Sequence, residues 1–243
     1  MNRPAPRELT LLSRTQLSPH MLRLTLGGSA MDDFPADQAS AYVKLMFPSD
    51  AGARPLMRTY TVRAQRAGEI DIDFVVHQDT GPASRWAQEA QLGDRIMVGG
   101  PGPKKMVDTS ADWLLMVGDM TALPAISVNL EQLPPNARGY AVIEVATAAD
   151  IQVLSAPANI EIHWVLNPHP GTDDNGLLDK VQSLPWLDGR PYVWCACEFS
   201  SMRVLREHFR AQSDLDRSNL YISSYWKLGV GEEAHKALKQ ASA

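Results

Sequence analysis

The first hundred residues read as short alternations of apolar and polar positions. In "EIDIDFVVH" (69–77), Ile70, Ile72, Phe74 and Val76 share one face, and Asp71, Asp73, Val75 and His77 share the other. That period of two is the signature of a half-buried strand. "ELTLLSRTQLS", "HMLRLTLGG", "AYVKLMFP" and "DRIMVGGPG" are further short runs closed by turn residues. Short strands at this spacing, with little helix, predict a small antiparallel barrel over residues 8–107.

From about residue 111 the pattern changes. "DWLLMVGD", "GYAVIEVA", "EIHWVLN", "PYVWCACE" and "LYISSYW" are strand-like runs, the first and fourth almost wholly apolar, as strands buried on both faces are. Between them "TALPAISVNLEQL", "GLLDKVQSL" and "SSMRVLREHFRAQ" carry helical periodicity, and "EEAHKALKQ" follows as a last helix. Pro124 is tolerated only in a first turn, and Ser200 or Ser201 is the expected cap of the third helix. This alternation predicts a doubly wound parallel sheet. The join falls near "KKMVDTSAD", which divides the chain into 1–108 and 109–243.

The formal net charge of −5 argues against nonspecific nucleic-acid binding. No apolar run is long enough to span a bilayer, and "MNRPAPRELT" lacks the apolar core of a secretory signal. Cys195 and Cys197, the only cysteines, are too close for an ordinary disulfide and too few for a zinc site. They read as two buried apolar thiols, with a redox pair as the alternative. The expected setting is the reducing cytoplasm.

"RPLMRTYTVRAQ" (54–65) breaks the pattern. As a strand it sets Arg58, Tyr60 and Val62 on one face and Thr59, Thr61 and Arg63 on the other. Two arginines in a core strand call for an anionic partner. A planar flavin with a pyrophosphate tail meets that demand, and a doubly wound sheet holds a nicotinamide nucleotide at the carboxyl ends of its strands.

At these distances "RTYTVR" (58–63), "DIDFVVHQDTGPASRWA" (71–87), "GDRIMVGGPG" (93–102), "GDMTALPAI" (118–126) and "SYWKLGVGEEAHKALK" (224–239) resemble the siderophore-interacting proteins. These are flavin-dependent ferric-siderophore reductases related to the ferredoxin–NADP reductases. The resemblance implies an FAD-binding barrel followed by an NAD(P)H-binding α/β domain. It implies FAD contacts from Arg58, Tyr60, Thr61, Val62, Arg63, His77, Gly81, Ala83, Ser84, Thr121 and Trp226, with Tyr60 along the isoalloxazine and Thr61 near its N5. It sets Lys44, Lys227, His235 and Lys236 where an anionic chelate is received, and Glu198, Arg203 and Arg206 at the NAD(P)H site. A solvated helix face is the alternative for Arg203 and Arg206, as core packing is for Trp226. Two positions depart from the family pattern: Met120 replaces an acid, and Cys197 replaces a glycine before Glu198.

The implied activity passes electrons from NADPH, or NADH, through FAD to siderophore-bound iron(III). Such a reaction needs no acid, base or nucleophile and no metal ligands of the protein's own. The implied partner is a small iron chelate met by a monomer, without nucleic acid or stable membrane insertion. Two other readings compete: a flavin reductase exchanging electrons with a ferredoxin or a flavodoxin, and a siderophore-binding protein without turnover.

Overall fold

The computed structural model describes residues 5–48, 55–76, 81–172 and 175–241. The chain forms two compact units, Met1–Lys105 and Met106–Ala243.

The first unit is a closed antiparallel barrel of β1 (Arg7–Ser18), β2 (Met21–Gly27), β3 (Tyr42–Phe47), β4 (Leu56–Arg66), β5 (Glu69–Val75) and β6 (Arg95–Gly99). Helix α1 (Pro82–Glu89) lies between β5 and β6 in sequence. The spatial order is β1-β2-β5-β4-β3-β6, closed by β6 against β1. Alternation explains the core: Ile70, Ile72 and Phe74 of β5 are fully buried with Leu24, Leu45 and Val62.

The opposite face of β5 is sealed too, which alternation alone does not reveal. Asp71 and Asp73 are only 4% and 8% exposed. Arg23 holds Asp73 through Nε at 2.6 Å and Nη2 at 2.8 Å. Arg66 grips Asp71 with two bonds of 2.8 Å, and Thr25 adds another of 2.8 Å. Burial pushes the Asp71 carboxyl up, but the bonds from Arg66 and Thr25 outweigh it and hold it below the ordinary carboxylate range.

The second unit carries β7 (Trp113–Gly118), α2 (Leu123–Glu131), β8 (Arg138–Val145), β9 (Asn159–Leu166), α3 (Gly176–Ser183), β10 (Pro191–Glu198), α4 (Phe199–Arg210), β11 (Leu220–Trp226) and α5 (Glu232–Ala241). All five strands are parallel, in the order β11-β10-β7-β8-β9. Both faces are buried: Trp113, Leu115 and Val117 join the core under α3 and α4, while Leu114 and Met116 point the other way and are equally covered. The expected fold class, a barrel followed by a doubly wound sheet, is the one observed. No helix among the described residues is long and apolar enough to cross a membrane.

Helix starts differ from expectation. α4 is capped by Glu198, whose carboxylate accepts the Ser200 N–H, and not by Ser200 or Ser201. The reason is the strand end: Glu198 is the last residue of β10, so the chain turns directly into the helix. Pro124 does sit in the first turn of α2. Cys195 and Cys197 are free and wholly buried in the core under α4. A hydrogen bond with Cys195, together with burial, pushes the Cys197 thiol well above its usual value.

Candidate functional site

In the barrel the β4–β5 ladder runs only from Val62 to Arg66, opposite Ile72 to Glu69. The register shifts between Val62 and Ala64, which makes Arg63 the residue in the bulge. On its other side β4 pairs with β3: Tyr42 opposite Thr61, Lys44 opposite Thr59, Leu45 opposite Arg58.

Period-two geometry sets the side chains of this strand. Val62 is fully buried, and the half-buried Tyr60 ring packs 4.4 Å from Phe74. Arg58 is half-buried and donates to the Met57 carbonyl at 2.8 Å. On the other face the Lys44 ammonium donates to Thr59 Oγ1. α1 begins after Gly81 with Pro82 in its first turn and no side-chain cap. The N–H groups of Ala83 and Ser84 thus stand in a helix start, where intrahelical acceptors are lacking. Among the described residues, apart from its chain neighbours, nothing lies within 4 Å of where a Gly81 side chain would begin. Ser84 itself is buried, and its hydroxyl accepts from Gln88 at 3.2 Å. His77 lies outside the described residues. An aromatic ring, two arginines and an uncapped helix start fit a flavin dinucleotide. Charge agrees: residues 1–105 hold 13 Lys and Arg against 11 Asp and Glu, whereas residues 106–243 hold 10 against 17.

The second unit builds its site at the carboxyl ends of β7 and β10, the point from which the strand order departs in both directions. Gly118 ends β7, and a side chain there would meet Ala122 Cβ and the Ala196 carbonyl at 2.8 Å each. Asp119 follows, 4% exposed. Its Oδ1 accepts from Thr121 N at 2.9 Å and Thr121 Oγ1 at 2.5 Å. Its Oδ2 accepts from Glu198 N at 2.8 Å and Trp226 Nε1 at 2.7 Å. Burial pushes this carboxyl up, and the bonds from Thr121 and Trp226 oppose the shift. Asp119 thus ties the ends of β7, β10 and β11. It was not singled out in the sequence, where its one signal is an acid directly after a buried parallel strand.

Glu198 caps α4, whereas α2 starts without a side-chain cap, and Asp119 takes the Thr121 N–H just ahead of it. Arg203 is exposed on α4, and Arg206 is half-buried one turn on. Burial, with Arg210 and Arg203 nearby, pushes the Arg206 guanidinium down.

Beyond β11, Lys227 stands 4.7 Å over the Phe199 ring, and Lys236 is exposed. His235 is 5% exposed, with Nε2 at 2.8 Å from Ser224 Oγ. It anchors α5 to β11. No cluster among the described residues could hold a metal ion.

The family of siderophore-interacting proteins matches residues 111–229, and its siderophore-interacting FAD-binding domain matches 10–55 and 49–105. The chain is 34% identical to the ferric vibriobactin reductase ViuB of Vibrio cholerae over 256 residues, 97% of this chain and 94% of that one. It is 30% identical to the ferric acinetobactin reductase of Acinetobacter baumannii, over 77% of this chain and 66% of the relative. The crystal structure of the siderophore-interacting protein SipS from Aeromonas hydrophila superposes with a TM-score of 0.88 at 36% identity, covering 98% of each chain. With both halves of the chain covered, this chain belongs to the siderophore-interacting proteins, and its N-terminal barrel is their FAD-binding domain.

Proposed function

We propose that the protein is an NAD(P)H-dependent ferric-siderophore reductase of the cytoplasm. What carries this reading is the similarity of the chain to two named ferric-siderophore reductases, together with the uncapped helix start after Gly81 in the FAD-binding barrel unit. FAD, when bound, supplies the conversion of a two-electron donor into single electrons for iron(III). The residues present bind and orient. Arg58 and Arg63 meet phosphate with charge-assisted bonds. Tyr60 and Val62 bound the ring system, and Thr61 offers it a hydroxyl. Gly81, Ala83 and Ser84 line the phosphate end, with His77 as a further contact. Thr121 and Trp226 are further candidate FAD contacts. Glu198, Arg203 and Arg206 serve the nucleotide, the arginines by reading a 2′-phosphate.

Lys44 and Lys227 attract the anionic chelate, with Lys236 as a weaker aid. An ammonium within about 4 Å of an anionic oxygen offers ~4 kcal/mol at a surface-like dielectric, before desolvation is deducted. Iron(III) enters as substrate. Iron(II) holds hard oxygen ligands less tightly, so reduction frees it.

Purified protein should be yellow, bleach with NADPH or NADH, and regain colour with a ferric chelate. Arg203→Ala with Arg206→Ala should raise the KM for NADPH more than for NADH. Lys44→Ala and Lys227→Ala should slow reoxidation by an anionic chelate but not by a neutral one, and salt should shrink the gap. A protein that bleaches with ferredoxin alone sinks the nucleotide assignment. One that never regains colour with chelate sinks the reductase reading.

A further inference from the structure

Trp226 closes β11, and β10 lies between β11 and β7. For its indole to donate to Asp119 at 2.7 Å, at the end of β7, the ring must cross over the end of β10. It therefore lies across the mouth of the crevice where a doubly wound sheet receives its ligand. The far edge of the ring is held as well. Gly171, in the segment after β9, has φ +87°, and a side chain on it would stand 3.3 Å from Trp226 Cη2 and 2.9 Å from Leu228 Cβ. Only a glycine lets the backbone approach the indole that closely.

Asp119 fits this task by chemistry. Four donors converge on it, two on each oxygen. An asparagine has one acceptor oxygen and would turn an NH2 group toward two of those donors. Fixing the carboxylate from three strand ends leaves the indole a single orientation. The ring is half-buried, so part of its surface stays open.

We propose that Asp119 is a positioning residue that holds the Trp226 indole as a fixed shelf over the crevice, and that the nicotinamide ring of the reductant stacks on that shelf. This rests on the reading of the chain as a pyridine-nucleotide reductase. The shelf supplies a flat apolar face beside the start of α4, which Glu198 caps.

The test titrates NADP+ into the FAD-loaded protein and follows tryptophan emission, for the wild type, Trp226→Phe, Asp119→Asn and the double variant. Nucleotide should quench the wild type, and Trp226→Phe should lose that component. Each single variant should weaken the Kd about three- to tenfold, the range of one aromatic stacking contact. The double variant should be no weaker than either single one, because Asp119 acts through Trp226. Should Asp119→Asn fail to fold, Trp226→Phe carries the test alone, since it leaves the Thr121 and Glu198 donors on Asp119.

An unchanged Kd in Trp226→Phe, or fully additive losses, overturns the shelf while bleaching by nucleotide keeps the reductase reading. A wild type that binds neither nucleotide and is bleached by neither overturns both.

Discussion

Lowering the pH should release α5 through His235. The imidazole is 5% exposed and bonded to Ser224 Oγ at 2.8 Å. Its surroundings disfavour the charged form. Burial lowers its pKa first and Lys239 next, with Lys227 adding to them; Glu232 and Glu198 oppose. A base with a depressed folded-state value stabilises the fold above its unfolded value of about 6.5. That stability falls as pH drops toward the folded value, because the unfolded or undocked state takes up a proton that the docked state does not. The loss can reach about 1.4 kcal/mol for each pH unit inside that window, the limit for one proton. Lys239 is the second anchor of α5, bonded to Ser223 Oγ and to the Ser224 carbonyl at 3.1 Å. Undocking should therefore be graded and confined to α5. Hydrogen exchange of the α5 amides, compared at pH 7.5 and pH 5.5 after correction for intrinsic rates, measures it. Wild-type protection should fall, and His235→Gln, which keeps a neutral partner for Ser224, should hold its protection constant. Equal pH dependence in both proteins, or none in either, refutes the reasoning.

Arg58→Ala should weaken FAD binding by roughly ten- to a hundredfold, the worth of a charge-assisted phosphate bond of about 1.5–3 kcal/mol; wild-type affinity by flavin fluorescence would remove Arg58 from the site. Asp71→Asn should cost about 1–2 kcal/mol, well below the ~3–5 of a fully buried pair, because the Arg66 side chain is 48% exposed. Its pH dependence has the opposite origin to that of His235. A carboxyl held low stabilises the fold above the ordinary carboxylate range and loses that contribution as pH falls through its depressed value. The stability gap between wild type and Asp71→Asn should therefore close in acid, and a gap constant down to about pH 3 would contradict the Arg66–Asp71 pairing.

The sequence by itself determined the architecture. Period-two runs followed by apolar runs alternating with helical ones admit few arrangements besides a barrel and a doubly wound sheet. "RTYTVR" raised the expectation of an anion at the barrel, but of that segment only Val62 is buried, and Arg58 and Arg63 are half-buried. What the sequence left open depended on neighbours distant along the chain. Asp71 and Asp73 look like a solvated strand face, but Arg23 and Arg66 arrive from other positions on the barrel wall to cover them. His235 looks like a polar residue on a charged helix, and only the docking of α5 on β11 buries its ring. Asp119 looks like the polar end of a strand. It becomes the junction of the crevice because strand order brings Glu198 and Trp226, 79 and 107 residues away in sequence, onto one carboxylate. Local periodicity encodes which face of an element is apolar. It does not encode which donors from elsewhere meet its polar groups, and in this protein those meetings build the site.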